Sequence, residues 1–267
     1  TALYGFEWSN PFLGHMSIVN TPLFTDTVET FRLDEIYAWL TAYPEAIAHF
    51  NHPGDYDSLG IEFHHFVPYP DAIDQVVGIE TWNTRKGFGR YHYTEAWHGA
   101  PSYLDAANRL GWRVGALGSE DNHHGQWGTL TQFRTAVLAT ENTREAILEA
   151  YRARRFYATE DKNLFLDFRC QGYPMGARLT DEPRTFQVSV EDAGGDSFSE
   201  ARLYRNGDLI STAPLAGTEA TATFADPGRT GIDYYYVIVT QTDDNDGDGR
   251  DDEAISSPIW FGEVPPY

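Results

Sequence analysis

Side chains that bind divalent metals are concentrated in the first half of this 267-residue chain. All nine histidines lie between His15 and His124, and residues 125–267 contain none. Imidazole and carboxylate groups together form the usual ligand set for Zn, Mn and Fe(II). The residues with the most suitable types and positions are Glu7, His15, His52, Asp121 and His123. This clustering favours a metal-dependent hydrolase in which a metal-bound hydroxide attacks the substrate.

The phrase Asp121-Asn122-His123 is the strongest local signal of this kind. On an extended segment alternate side chains point the same way, so Asp121 and His123 are predicted to address one metal cluster. The alternative is a loop histidine that bonds its neighbour. Weaker candidates for contact with substrate are Glu80, Trp82, His98 and His124.

A second motif lies near the end of the chain, where residues 244–252 read DNDGDGRDD. Oxygen ligands at alternate positions, with glycine at the tight bend, are typical of a calcium loop. The predicted ligands are Asp244, Asp246, Asp248 and Asp252. Position twelve is Ile255 instead of Glu, which favours the calcium loops of extracellular modules over an EF-hand; the alternative is a solvated hairpin tip. Calcium binding predicts a secreted or periplasmic protein.

The net charge and composition of the chain argue against nucleic acid as a partner and against a membrane span. The net charge is −21, from 40 acidic and 19 basic residues, so the chain repels nucleic acid phosphates. No stretch approaches the ~20 apolar residues that span a bilayer. The single cysteine, Cys170, excludes an internal disulfide and is expected to be a small buried hydrophobe. The predicted partner is a small-molecule ester or phosphoester.

The elements that must position these residues change character near residue 163. Before it, helical spacing at 33–42 and 103–110 alternates with buried strands at 46–50, 76–80 and 113–117, and Asn142 is the predicted N-cap of a further helix. Repeated strand–helix units indicate an α/β sheet or barrel, with catalytic residues at the strand ends. After it, short alternating runs predict an antiparallel β-sandwich. The predicted domains are therefore 1–163 and 164–267.

An ordered set of phrases resembles the polymerase-and-histidinol-phosphatase (PHP) superfamily, and more closely its carbaryl-hydrolase-like branch. The phrases are Gly5-Phe6-Glu7, Gly14-His15-Met16, Phe50-Asn51-His52-Pro53, residues 78–83 and residues 118–123. The resemblance covers residues 1 to about 165. It implies a distorted (β/α)7 barrel that holds two or three divalent transition metals (Zn, Mn or Fe). The immunoglobulin-like sandwich that follows is predicted from the alternating runs and not from the resemblance.

The same resemblance implies roles for the five candidate ligands. Glu7 would bridge two ions, His15 and His52 would complete the second metal site, Asp121 would bind the first ion, and His123 the third. It implies phosphoester hydrolysis, or hydrolysis of a carboxylic or carbamate ester.

One departure from the family pattern stands out. The His-x-His strand that opens PHP domains is absent from this chain. Three explanations are open: a piece of a longer or processed protein, an accompanying N-terminal segment that completes the barrel, or a non-catalytic scaffold or binding protein.

Overall fold

The computed structural model describes residues 1–83, 89–180, 184–228, 231–245 and 247–262. Within these ranges the helices are α1 (Leu33–Thr41), α2 (Tyr103–Arg109) and α3 (Arg144–Arg152). The strands of the first half are β1 (Gly5–Asn10), β2 (Gly14–Val19), β3 (Ile47–Asn51), β4 (Val76–Asn83), β5 (Gly89–Arg90), β6 (Gly115–Ser119), β7 (Arg134–Val137) and β8 (Phe156–Thr159). The strands of the second half are β9 (Leu164–Cys170), β10 (Tyr173–Pro174), β11 (Arg178–Leu179), β12 (Arg184–Asp192), β13 (Phe198–Arg205), β14 (Asp208–Pro214), β15 (Glu219–Asp226), β16 (Asp233–Gln241), β17 (Glu253–Ser256) and β18 (Ile259–Phe261).

The first six strands form one mixed sheet in the order β1-β2-β3-β4-β5, with β6 also paired to β4. The pairs β1–β2, β2–β3 and β4–β5 are antiparallel, whereas β3–β4 and β4–β6 are parallel. One face of this sheet is apolar, and Trp8, Met16 and Phe50 pack there with residues of α1 and α2 in one core.

The predicted (β/α)7 barrel is wrong. A parallel pair needs a crossover of about a dozen residues or more, but only residues 11–13 separate β1 from β2, so these strands form an antiparallel hairpin. Just three α-helices occur in the described ranges, and most strand pairs there are antiparallel. The result is an open mixed sheet beside antiparallel sheets.

The predictions for individual helices and strands agree with the structure, unlike the prediction of the barrel. The helices predicted at 33–42 and 103–110 are confirmed as α1 and α2, and the strands at 46–50 and 76–80 as β3 and β4. Helix α3 starts one residue later than predicted, because the hydroxyl of Thr143, and not Asn142, accepts the amide hydrogen of Ala146 at 3.3 Å.

The second half is antiparallel, as its alternating runs predict, except for the short parallel pair β11–β18. One sheet has the order β10-β9-β12-β15; the other runs β11-β18-β16-β17-β8-β7, with β13 and β14 beside β16. Apolar side chains from both sheets, including Phe168, Phe186 and Val237, share one core, in which Cys170 is also buried, as expected.

The immunoglobulin-like description needs correction. The larger sheet takes β7 and β8 from the first half, through pairing of Ile255 on β17 with Ala158 on β8. The side chains of Tyr234, Tyr236 and Trp260 also join the core of the first sheet. A sandwich built only from residues after 163 is therefore not what forms, and the division of the chain at residue 163 stays a prediction.

Candidate metal centre

The polar face of the first sheet carries two rows of facing side chains. Glu7, Ser17 and His49 are paired across β1, β2 and β3, and the next row is Ser9, His15 and Asn51. Side chains alternate along each strand, so the residues between them, such as Met16, face the apolar core instead. Strand register therefore brings acidic and imidazole groups from distant parts of the sequence onto one surface.

Glu7 lies at the centre of this surface. Its Oε1 accepts a hydrogen bond from His15 Nδ1 at 3.2 Å and another from Asn51 Nδ2 at 2.8 Å, and lies 3.7 Å from His52 Nε2. Asn51 Nδ2 also donates to the hydroxyl of Ser17 at 3.0 Å, which fixes the amide. One carboxylate thus faces two imidazoles, with an amide that orients it.

His52 follows β3 directly and is fully buried. Its positive φ of 28° turns the chain sharply at the strand end. The carboxylate of Glu80 accepts its backbone N–H at 2.6 Å, and Glu62 accepts the N–H of Gly54 at 2.7 Å and of Tyr56 at 3.3 Å. These bonds hold the turn, so His52 is placed by buried carboxylates and not by its own side chain alone.

The imidazoles are further confined by packing. The ring of His15 stacks on Tyr56 at a centroid distance of 4.2 Å and meets the ring of His52 edge-on at 4.9 Å. Side chains held in this way lose little freedom when they bind an ion, a form of preorganisation.

The three carboxyl groups of this region, those of Glu7, Glu62 and Glu80, differ in the direction in which their pKa values are shifted. Burial raises the pKa of Glu7, but hydrogen bonds from His15, His52 and Asn51 outweigh it and hold that pKa well below its usual range. Burial raises the pKa of Glu62 and of Glu80 to about 7, against hydrogen bonds that lower it. Glu7 is therefore the ionised member, as a metal ligand must be.

The three groups meet the distance requirement for a metal site. Ligand atoms of Glu7, His15 and His52 all lie within 4.8 Å of one another. Two imidazole nitrogens and one carboxylate oxygen are a known catalytic zinc ligand set that leaves a fourth position for water. These residues could hold one divalent transition metal.

A cleft of about 490 Å³ adjoins this centre, and its lining includes Glu7, His49, Glu80, Glu120, Asp121, His123, Trp127 and Arg134. The acidic groups outnumber the single arginine. Arg134 is engaged by Glu120 at 3.4 Å and by three backbone carbonyls, among them that of Thr131 at 2.8 Å.

Asp121 and His123 line the cleft but are not gathered with the three sheet residues into one ligand group. The extended segment assumed for them is absent, because Asp121 has a left-handed φ of 46°. His123 Nδ1 donates to the main-chain oxygen of Asp121 at 2.8 Å, and the His123 side chain is 66% exposed. This is the loop histidine bonded to its neighbour that the sequence left as the alternative.

The weaker candidates are dispersed. Glu80 lines the cleft, while Trp82 is fully buried and meets His92 edge-on at 4.7 Å. His98 lies in a short 3₁₀ segment with its ring 5.9 Å from His65. The backbone of exposed His124 donates to the side chain of Asn122 at 2.8 Å. Of these four, Glu80 alone borders the cleft as it is described here.

The predicted calcium ligands lie on a loop whose carboxylates already have partners. Asp244 accepts backbone N–H groups of Gly247 and Asp248 at 2.7 and 3.0 Å. Asp248 lies 3.7 Å from Arg90, and buried Asp252 accepts the N–H of Asn245 at 3.0 Å. Asp246 lies outside the described residues.

A second group that could hold an ion consists of Asp161, Asp192 and Asp196, whose carboxylate oxygens also lie within 4.8 Å of one another. Burial and the adjacent Asp192 carboxylate raise the pKa of Asp161 to about 6. The amide of buried Gln241 donates to Asp192 at 3.0 Å. An all-oxygen set of this kind suits a hard cation.

Several residues of the candidate centre were missed by sequence reasoning. His49 and Ser17 in the cleft, and Asn51 and Glu62 as supports, were not among the candidates. The signal for three of them was present, since polar and apolar residues alternate in β2 and β3. Glu62 carried no such signal.

Comparison with known proteins adds relatives but no family. No protein-family model matches the chain. It is 29% identical over 147 residues to a protein of Chlamydia pneumoniae and 30% over 144 residues to one of Chlamydia muridarum, both described as uncharacterized. These matches cover 47% and 48% of the chain but 22% of each relative, so the chain spans less than a quarter of their length.

Two structures of a CARDB domain from Pyrococcus furiosus are also similar to part of the chain. The crystal structure, in complex with di-metal ions, is 15% identical and covers 37% of this chain and 87% of its own, at a TM-score of 0.26. The solution structure covers 37% and 94%, at 15% identity and a TM-score of 0.27. TM-scores this low do not establish a shared fold.

The resemblance to the PHP superfamily and its carbaryl-hydrolase-like branch is therefore wrong. The mixed and antiparallel sheets contradict the barrel, and no PHP family match accompanies the phrases. The resemblance therefore gives no support to the descriptions PHP domain, hydrolase and phosphoesterase. Among the described helices, none is long and apolar enough to cross a membrane.

Proposed function

We propose that Glu7, His15 and His52 bind one divalent transition metal and that this metal activates water for ester hydrolysis in the adjoining cleft. The observation that carries the proposal is the convergence of three ligand atoms within 4.8 Å of one another, two of them on buried, preorganised histidines. A bound ion lowers the pKa of its water toward ~7 and polarises the attacked carbonyl oxygen. Zinc fits three protein ligands and one water best, although Mn and Fe(II) use the same donors.

The proposed number of ions is one, fewer than the two or three that the sequence predicted. Asp121 and His123 border the same cleft, but the exposed imidazole is bonded to its own loop. Their part in the proposal is contact with the substrate, and not ligation of the ion.

The charge of the cleft favours a neutral substrate. Glu7, Glu80, Glu120 and Asp121 line it, and Arg134 is already engaged by Glu120 and main-chain oxygens. A phosphoester anion would meet this acidic wall with a single ion to offset it, whereas a carboxylic or carbamate ester would not. Exposed Trp127 on the cleft wall suits a substrate with an apolar or aromatic group.

Metal titration tests the proposal. Calorimetry of metal-free protein with zinc is expected to give a stoichiometry of one at this centre, with at least about 100-fold weaker binding for Glu7→Gln, since even outer-shell changes cost 10–100-fold. His124→Gln is the matched control, because its exposed side chain lies outside the cleft lining. Unchanged zinc affinity of Glu7→Gln would overturn the metal assignment.

Hydrolysis is measured separately on the zinc-loaded protein. Turnover of p-nitrophenyl acetate, abolished in Glu7→Gln, is the expected result, with slower turnover of bis(p-nitrophenyl) phosphate. Zinc binding without any ester turnover would favour the second candidate, a non-catalytic binding protein. The observation that favours this candidate is that the described ranges contain a single ligand group with imidazoles, which suffices for one bound ion.

Calcium binding at residues 244–252, and with it a secreted or periplasmic location, is a further part of the proposal. Its support is the spacing of the acidic residues and the tight turn around Gly247, whose φ is 79°. A calcium titration of wild type against Asp244→Asn tests it, and equal affinity of the two would contradict it.

A further inference from the structure

A second cleft, of about 380 Å³, is lined by five arginines and by no acidic residue in the described part of the chain. Its charged lining is Arg113, Arg152, Arg154, Arg155 and Arg178, and its other walls include Met175 and Trp260. The whole chain has 19 basic and 40 acidic residues, so this concentration of positive charge runs against its composition. We call this cleft the arginine pocket.

The carboxylates that pair with these arginines are not part of the pocket lining. Arg113 and Arg178 both donate to the same oxygen of Asp74, at 2.5 and 2.6 Å. Arg152 pairs with Glu45 at 2.8 Å, and Arg155 pairs with Glu149. Five guanidinium groups and three carboxylates leave two positive charges in excess.

Two of the arginines differ from the rest, because one keeps an unused donor and the other has no carboxylate partner in the described part of the chain. Arg113 Nε is buried and has no hydrogen-bond partner among the described residues. Arg154 donates to main-chain oxygens alone, including those of Arg113 at 2.9 Å and Asp74 at 3.1 Å. Burial, together with the nearby charge of Arg178, lowers the pKa of Arg113 and lowers that of Arg154 to about 9. Crowded cations with an unused donor are the surroundings in which an anion binds.

We propose that the arginine pocket binds a tetrahedral oxyanion, a phosphate or sulfate group. A planar guanidinium presents donors in a fork that matches such oxygens, and charge-assisted bonds of this kind are among the strongest in proteins. A dianion offsets the two excess charges, which a chloride or acetate ion would not. The pocket shares no residue with the candidate metal centre, so the inference is independent of the proposed function.

The test is titration of the intact chain with inorganic phosphate, and separately with sulfate, at constant ionic strength made up with sodium chloride. Binding is followed by calorimetry and by the rise in melting temperature. Arg178→Gln is the informative variant and Arg169→Gln the matched control, because their side chains are 51% and 45% exposed and both pair with an aspartate. Both variants are expected to fold as the wild type does.

Phosphate and sulfate are expected to bind with one site, while acetate does not bind. Arg178→Gln should weaken phosphate binding by at least about tenfold through loss of one charge-assisted bond, and Arg169→Gln by less than about twofold. Equal effects of phosphate and chloride on the melting temperature would overturn the inference. Equal phosphate affinity of Arg178→Gln and wild type would overturn it as well.

Discussion

The two groups of candidate ligands differ in what holds them. Glu7 and His15 lie on paired strands, and His52 directly follows the next strand, so the hydrogen-bond register of the sheet positions all three. Asp121 and His123 lie on the segment after β6, where bonds run mainly between near neighbours such as Ser119 and Asp121. The first group is mostly buried and converges, whereas the imidazole of the second is exposed.

This difference teaches where a preorganised site can form in this fold. A sheet transmits position across the chain through ladder hydrogen bonds, and side-chain supports then lock each ligand. In a loop, side chains are positioned only by local turns and backbone angles. They therefore retain more conformational freedom than side chains on a sheet. Two predictions compare the two regions directly, and a third tests the turn that carries His52.

The largest expected effect is on stability. Trp82→Ala should lower the free energy of unfolding by about 4 kcal/mol, because it leaves a cavity in the core. Trp127→Ala, on the loop side and 75% exposed, should change it by less than about 0.5 kcal/mol. Urea unfolding followed by circular dichroism measures both. Similar losses from the two substitutions would show that the loop is as well packed as the sheet.

The next effect is on metal affinity. His15→Ala removes one of three ligands and should weaken zinc binding by at least about 100-fold, while His123→Ala should change it by less than about threefold. Zinc calorimetry on both variants gives the comparison. A large effect of His123→Ala would mean that the loop closes onto the ion and joins its ligands.

The smallest effect concerns the turn that carries His52. Burial raises the pKa of Glu62 to about 7 from 4.5, so its neutral form is the one the fold favours. The stability this contributes is complete below about pH 4.5 and is lost as the pH rises through about 7. The wild type should therefore lose about 2 kcal/mol more than Glu62→Gln between pH 5 and pH 8.

Unfolding curves for both proteins at pH 5, 6.5 and 8 check the Glu62 prediction. Substitution by Gln removes one acceptor of the bonds from Gly54 and Tyr56, but that loss is the same at every pH. Parallel pH profiles of the two proteins would contradict the raised pKa.

Much of the local structure could be read from the sequence. The helical spacing of Ile36 and Leu40 and the alternation in residues 185–190 predicted elements that the structure contains. The hairpin of β1 and β2 was not predicted. The barrel was expected because the repeated strand–helix units and the resemblance both favoured it.

The sequence placed Glu7, His15 and His52 at one metal site through the resemblance, and the strand register of the structure brings their ligand atoms within 4.8 Å of one another. Asp121 was expected to join them, but its left-handed backbone, φ 46°, redirects the segment. Such angles in non-glycine residues depend on tertiary contacts, and neither composition nor spacing reports them.

The most direct test of the central claim is anomalous diffraction at the zinc edge from crystals of the zinc-loaded chain. The account predicts one strong peak about 2.0–2.2 Å from the side-chain ligand atoms of Glu7, His15 and His52. A peak bound by Asp121 and His123 with none at the sheet face, or no ordered zinc at all, would contradict it.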